Sequence, residues 1–348
     1  NTNKITIGDN SNAFTIRGQN NKVESNSTGT VNLRNNSIYM YSTDNSGSIV
    51  NRTNITATGN NNYGIYSAGK VDNYANIDFS NSVGSIGMYS YYPKSDSYGL
   101  STMSLTTVPA VVNHSGRTIK VAKSDLSNSS NERYGIGMAA GHTEIRGNTI
   151  LQRAAGYIVN YGTISVTNPN SIGMYATGRG SIAENRGRIE LSGNKRNIGM
   201  YLENGAEGYN YGTITTVGSN NNGQIGVAVT TGATIHNYGT INIQASDAKS
   251  AGIWTDTQSS VNVEENALNP LSGRRGTSTP AIKVVTATDM KEMGGVTIKV
   301  PPAATPVTVT DAKGNVLPIV NVDTNVSSPS PTMVNVTSPS GVTALDLS

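Results

Sequence analysis

The sequence predicts an all-β protein, a parallel β-helix (solenoid) with a C-terminal β-rich module or insertion. Three observations lead there. A phrase of the form Asn-x-Gly-x-Ile, a variable turn, then Ile-Gly-Met-Tyr or a close relative is written four times between Gly156 and Trp254. Its period is about 25 to 27 residues, and a fixed period of that size marks a stacked repeat. The text is also poor helix material: charged residues are only 14%, Gly numbers 38, and runs such as Thr163-Ile164-Ser165-Val166 and Thr240-Ile241-Asn242-Ile243 alternate with period 2.

The four copies pass through Asn160-Tyr161-Gly162-Thr163-Ile164, Asn185-Arg186-Gly187-Arg188-Ile189, Asn210-Tyr211-Gly212-Thr213-Ile214 and Asn237-Tyr238-Gly239-Thr240-Ile241. Two earlier coils close on Tyr63-Gly64-Ile65-Tyr66 and Ile86-Gly87-Met88-Tyr89. Stacked coils would align Ile55, Ile77, Ile119, Ile164, Ile189, Ile214 and Ile241 as an inward ladder, with Ala57, Phe79, Val121, Val166, Leu191, Thr216 and Ile243 two residues on. In the second strand, Ile172 and Met174 are both expected inward, with the Gly between them outward or at a bend. Asn51, Asn73, Asn113, Asn160, Asn185, Asn210 and Asn237 fall at one corner, where left-handed backbone and amide bonds to the next coil are expected. Gly162, Gly187, Gly212 and Gly239 are expected to supply the positive φ of that turn. Roughly eight coils at about 4.8 Å make a rod on the order of 40 Å long, with ends that need cover.

Residues 1–256 form the rod in this reading. Asn1 to Asn36 suits irregular initial coils. Insertions interrupt the register near 91–108, 123–133 and 140–153. Residues 257–348 form a Pro-rich β module, a cap or an insertion in the rod, because nine of the 12 Pro and none of the 17 Tyr lie there. Asp311 to Asn315 is expected to be a hairpin turn. The chain opens without an initiator Met or an apolar leader, as a piece of a longer protein would.

A net charge of +3, with scattered basic residues, argues against a nucleic-acid footprint. Zero Cys excludes a disulfide framework and a thiolate metal site. No run of 18 apolar residues predicts membrane insertion. Carboxylates on neighbouring coils would be the mark of a glycosidase, but the outward rows Thr56, Asp78, Lys120, Ser165, Glu190 and Val50, Asp72, Val112, Val159, Glu184 place no two acids together. His114, His142 and His236 are dispersed, and no metal or cofactor is expected. Two aromatic ladders remain: Tyr41, Tyr66, Tyr89, Tyr175, Tyr201 and Trp254, and Tyr74, Tyr161, Tyr211 and Tyr238 beside Arg52 and Arg186. Such rings stabilise coils by stacking, or offer an exposed platform to sugars or a protein.

Repeated Asn-Tyr-Gly-Thr-Ile followed by Ser-Ile-Gly-Met-Tyr resembles the passenger repeats of the fusobacterial type V autotransporter adhesins, the RadD-like large outer-membrane adhesins, over about Gly47 to Trp254. The resemblance implies a right-handed β-helical rod at the cell surface, anchored in the outer membrane through a C-terminal translocator outside this sequence. It also implies binding to a host-cell receptor or glycan, or to a partner bacterial surface protein. The expected function is a non-enzymatic, monomeric adhesin segment; the alternatives are a passive spacer of a longer rod and a polysaccharide-degrading β-helix. Since loops on rigid scaffolds carry recognition, the candidate partner-binding residues are Tyr91, Tyr92, Lys94, Tyr98, Arg133, His142, Glu144 and Arg146.

Overall fold

In a computed structural model, the described residues are 4–93, 108–128, 131–146, 149–193, 196–219, 221–245, 247, 249–263, 296 and 298, with the backbone of five short strands between 282 and 336. Every regular element among them is a strand. Each coil contributes one strand to each of three parallel sheets.

The first, here the Ile sheet, stacks Lys4–Ile7, Thr30–Leu33, Asn54–Ala57, Ile77–Asp78, Thr118–Lys120, Thr163–Val166, Arg188–Leu191, Thr213–Thr216 and Thr240–Asn242. The Gly sheet runs from Asn12–Gly18 through Ile86–Ser90, Ile136–Ala140, Ile172–Thr177 and Ile198–Glu203 to Ala251–Thr255. The Asn sheet runs from Lys22–Ser25 through Tyr157–Asn160, Ile182–Asn185 and Glu207–Asn210 to Ser260–Val263. Nine strands in the Ile sheet correspond to about 40 Å of rod at about 4.8 Å per coil.

The predicted inward ladder is present: Ile55, Ile77, Ile119, Ile164, Ile189, Ile214 and Ile241 are successive partners, all fully buried. Along the next inward position Thr216 is only half-buried. The opening residues are more regular than expected, since Ile5 pairs with Val31 and Val31 with Ile55. Alternating Ile, Val and Leu suffice to hold the register without the repeated phrase.

The Gly sheet corrects the inward assignment of Ile172. Met40, Met88, Met138, Met174 and Met200 lie in the central core, whereas Ile38, Ile86, Ile136, Ile172 and Ile198 join a separate cluster on the outer face. Gly173 is the inward residue: a Cβ there would lie 2.6 Å from the Gly199 carbonyl oxygen and 3.0 Å from Ile189 Cγ2. Two consecutive residues, Gly173 and Met174, therefore face the core. This bulge-like break of the pleat needs Gly because the inner Ile of the first sheet fills the space.

The Asn corner is corrected in its backbone and confirmed in its bonding. None of the seven corner Asn has a positive φ; the left-handed residues include Asn10, Asn36, Asn61, Asn170 and Asn204. Asn10, Asn36 and Asn61 form their own amide column at another corner, at 3.0 and 3.1 Å. The seven corner Asn are fully buried, and each amide donates to the next from Asn51 to Asn237, at 2.7–3.0 Å. Gly162, Gly187, Gly212 and Gly239 also lack positive φ. They are required by proximity, because a Cβ on Gly187 would lie 2.1 Å from the Gly162 carbonyl oxygen.

Beyond residue 256, Ser260–Val263 pairs with Thr234–Asn237 and Ile282–Val284 with Ala251–Thr255. At the opposite end, Val322–Thr324 and Met333–Val336 pair with Asn12–Gly18 and Lys22–Ser25. Val309–Thr310 and Val316–Leu317 pair antiparallel; the expected Asp311 to Asn315 turn lies outside the described residues.

Candidate functional site

The register is interrupted on the side of the rod where the Gly sheet gives way to the Asn sheet. There Tyr92–Pro93, Thr149–Ala155 and His142–Arg146 form a small antiparallel sheet, with Thr149–Ala155 in the middle. The expected loop near 140–153 is thus a β-hairpin. Arg146 faces Thr149, and Gly147 and Asn148, between them in sequence, lie outside the described residues. Gly-Asn between two alternating runs is a hairpin signal that was available in the sequence.

Three sets of contacts fix this sheet to the rod. Tyr91 stacks on Tyr66 with centroids 5.5 Å apart and meets Tyr89 edge-on at 5.8 Å; His142 lies against Tyr91 at 5.9 Å. The Thr143 and Thr177 hydroxyls lie 2.8 Å apart, with the Asn204 amide donating to both. Gln152 is fully buried and donates to the Arg179 carbonyl at 2.8 Å.

The outer part carries the charge. Arg153 donates to Glu144 Oε2 through Nε and Nη2, both at 3.1 Å, while Arg146 and His142 approach the same carboxylate at 3.5 and 3.6 Å. Burial pulls the Glu144 carboxyl upward, but Arg153, His142 and Arg146 outweigh it and hold it below its ordinary range. Burial lowers His142, against the upward pull of Glu144. Arg153 and Arg146 set two guanidinium groups against one carboxylate. Beside them Ile145 is 75% exposed, the most exposed large hydrophobic among the described residues.

The structure therefore brings together Tyr91, Tyr92, His142, Glu144 and Arg146. Two of these assignments change in kind: His142 is buried and Tyr91 half-buried, so both are anchors of the sheet. Arg133 stands apart. It pairs with Asp125, which Ser127 and Arg133 together hold down at about 2, and donates to Asn61 at 3.4 Å; it braces the 123–133 insertion. Lys94 and Tyr98 lie outside the described residues. The sequence reading missed Ile145 and Arg153, whose importance depends on the hairpin pairing.

The aromatic ladders divide. Tyr66, Tyr89, Tyr175, Tyr201 and Trp254 share one position as expected, but they are buried in the outer cluster with Val296 and Ile298, so they offer no exposed platform. Tyr161, Tyr211 and Tyr238 are 46%, 43% and 40% exposed. Tyr211 and Tyr238 stack at 4.9 Å, Tyr209 and His236 at 4.8 Å, and Tyr74 and His114 at 4.1 Å. Arg52 lies over Tyr74 at 4.6 Å and Arg186 over Tyr211 at 4.5 Å. Stacked rings present their edges outward and give their faces to one another.

The outward carboxylates are engaged by neighbouring basic side chains. Glu24 meets Arg52 at 2.9 Å, Asp72 meets Lys70 and His114 at 2.9 Å, Asp78 meets Lys120 at 2.8 Å, and Glu184 pairs with Arg186. No group of three or more His, Asp or Glu among the described residues could hold a metal ion.

Residues 1–211 match the family described as the BigA third pectate lyase-like domain. No curated protein and no solved structure matches the chain.

Proposed function

The chain belongs to the family of the BigA third pectate lyase-like domain, a β-helical segment of BigA-type surface proteins, and from that premise we propose that it is a non-enzymatic adhesin segment recognising its partner through the antiparallel insertion. The partner is a receptor or glycan on a host cell, or a protein on another bacterium. A rigid rod supports the recognition sheet and displays it away from the anchor.

The observation that carries this reading is the exposed, non-repetitive end of the hairpin. Ile145 and Arg146 lie there on a sheet held to the rod at Tyr91, Thr143 and Gln152. An exposed aliphatic side chain beside a guanidinium on a pre-ordered strand suits a small interface, because little ordering is lost on binding. The paired carboxylates of the outer faces support a scaffold role for those faces rather than acid-base chemistry.

Binding of the purified protein to host and bacterial cells and to a glycan array tests the proposal. Replacing 142–155 by a short Gly-Ser turn is expected to abolish binding while the rod stays folded. Undiminished binding would return the chain to the spacer reading, and release of cleaved or unsaturated sugars from a polysaccharide would overturn the non-enzymatic one.

A further inference from the structure

The small antiparallel sheet ends on an open edge. His142–Arg146 pairs with Thr149–Ala155 along one side, and no strand among the described residues pairs with the other. Nor does any backbone group from Thr143 to Arg146 bond to a described residue outside that sheet. Ile145 and Arg146 are both largely exposed there. Such edges are usually covered, because their unpaired N–H and C=O groups accept another strand of matching pattern.

The pattern of this edge matches itself. We infer that the chain self-associates, two copies joining through His142–Arg146 in a two-fold antiparallel pair centred on Ile145. Hydrogen-bonded and non-hydrogen-bonded pairs alternate along antiparallel strands, so a two-fold pair must be centred on a residue opposite its own copy. Centring on Glu144 sets carboxylate against carboxylate, and centring on Arg146 sets guanidinium against guanidinium. His142 is buried against Tyr91, and Thr143 bonds to Thr177 and Asn204 of the rod, so the axis is displaced from them toward the tip. Ile145 alone gives a complementary register. There Ile145 faces Ile145, and Glu144 of each copy faces Arg146 of the other.

The contact extends across both hairpins. Ile145 is the cross-strand partner of Ile150, so joining two copies sets Ile150, Ile145, Ile145 and Ile150 in one row across four strands. That row covers the large aliphatic side chain that is most exposed among the described residues. On the adjacent row Glu144 keeps its bonds to Arg153 and gains the other copy's Arg146. A five-residue edge covers far less than the about 1,200 Å² of a lasting interface, so the contact is weak and depends on concentration. It deepens the adhesin reading, on which it rests for its setting, by making the partner a second copy of this chain.

Sedimentation velocity of the purified full chain over a concentration series tests the pairing. The parent should shift from monomer toward dimer as concentration rises. Ile145→Lys and Ile145→Glu change an exposed side chain, so the melting transition should stay in place. Each puts like charges opposite one another at the axis, and each alone should associate at least about tenfold more weakly than the parent. An equimolar mixture of the two should recover association, because the ammonium of one variant then faces the carboxylate of the other. A parent that stays monomeric, single variants that associate as the parent does, or a mixture no more associated than its components would overturn the inference. No cell or glycan is present, so the two readings fail separately. A monomeric parent that still binds host cells through 142–155 keeps the adhesin reading and removes this one, and a dimer that binds no cell or glycan does the reverse.

Discussion

Asn185 shows how single residues set this fold. It accepts from Asn160 at 3.0 Å and donates to Asn210 at 2.8 Å, away from water. Asn185→Ala removes the Asn185 acceptor from the Asn160 amide, which still reaches the Gly162 carbonyl, and leaves Asn210 Oδ1 without its Asn185 donor; it should destabilise the protein by about 1–3 kcal/mol per orphaned group. Denaturant unfolding checks this, and a loss within about 0.5 kcal/mol, ordinary for a surface change, would contradict it. Gly187→Ala should lower the unfolding midpoint sharply for a different reason: its Cβ would meet a carbonyl oxygen of the adjacent coil. Steric exclusion between coils, not left-handed backbone, selects Gly here, so an unchanged midpoint would refute the account of that corner. The identities of these residues were legible because both explanations call for Asn and Gly. Their backbone conformation was not, since the distance between coils is a tertiary quantity.

The strands were legible in proportion to how strongly the core constrains them. Ile in the first sheet always points inward, and its spacing alone gave the register from Ile55 to Ile241. The second strand was misread at Ile172 because a strict period of two cannot anticipate two consecutive inward residues. In the insertion, sequence located the interruption and five of the residues that meet there, but treated as loop a segment with a hairpin dipeptide at its centre. Arg153 and Ile145 became visible only once the pairing of Ile145 with Ile150 and the Glu144 ion pairs were known. Since the hairpin lies outside the three stacked sheets, excising 142–155 should keep a cooperative β-sheet transition, at a lower melting temperature because the buried His142, Gln152, Ala154 and Ala155 are lost. Loss of the cooperative transition would mean that the hairpin is part of the core.

At the scale of the whole molecule, two apolar clusters share one sheet. The central core is continuous through the coils, as a solenoid requires, because each coil covers its neighbour's apolar edge. The outer cluster was hidden from a sequence reading because its cover comes from distant chain, including Tyr91, Leu126, Val296 and Ile298. That cover removes one aromatic ladder from any role in binding while the other remains at the surface, edge-on and paired with Arg and His. The central claim is a division of labour in which the regular coils are scaffold and recognition belongs to the insertion.

The most direct test compares binding to the same cells and glycans by two variants of the full chain. One carries Tyr161→Ala, Tyr211→Ala and Tyr238→Ala on the regular face; the other carries Ile145→Ala and Arg146→Ala on the hairpin. The account predicts binding unchanged in the first and reduced at least about tenfold, or about 1.4 kcal/mol, in the second. Loss confined to the tyrosine variant, with the hairpin variant binding as the parent does, would contradict it.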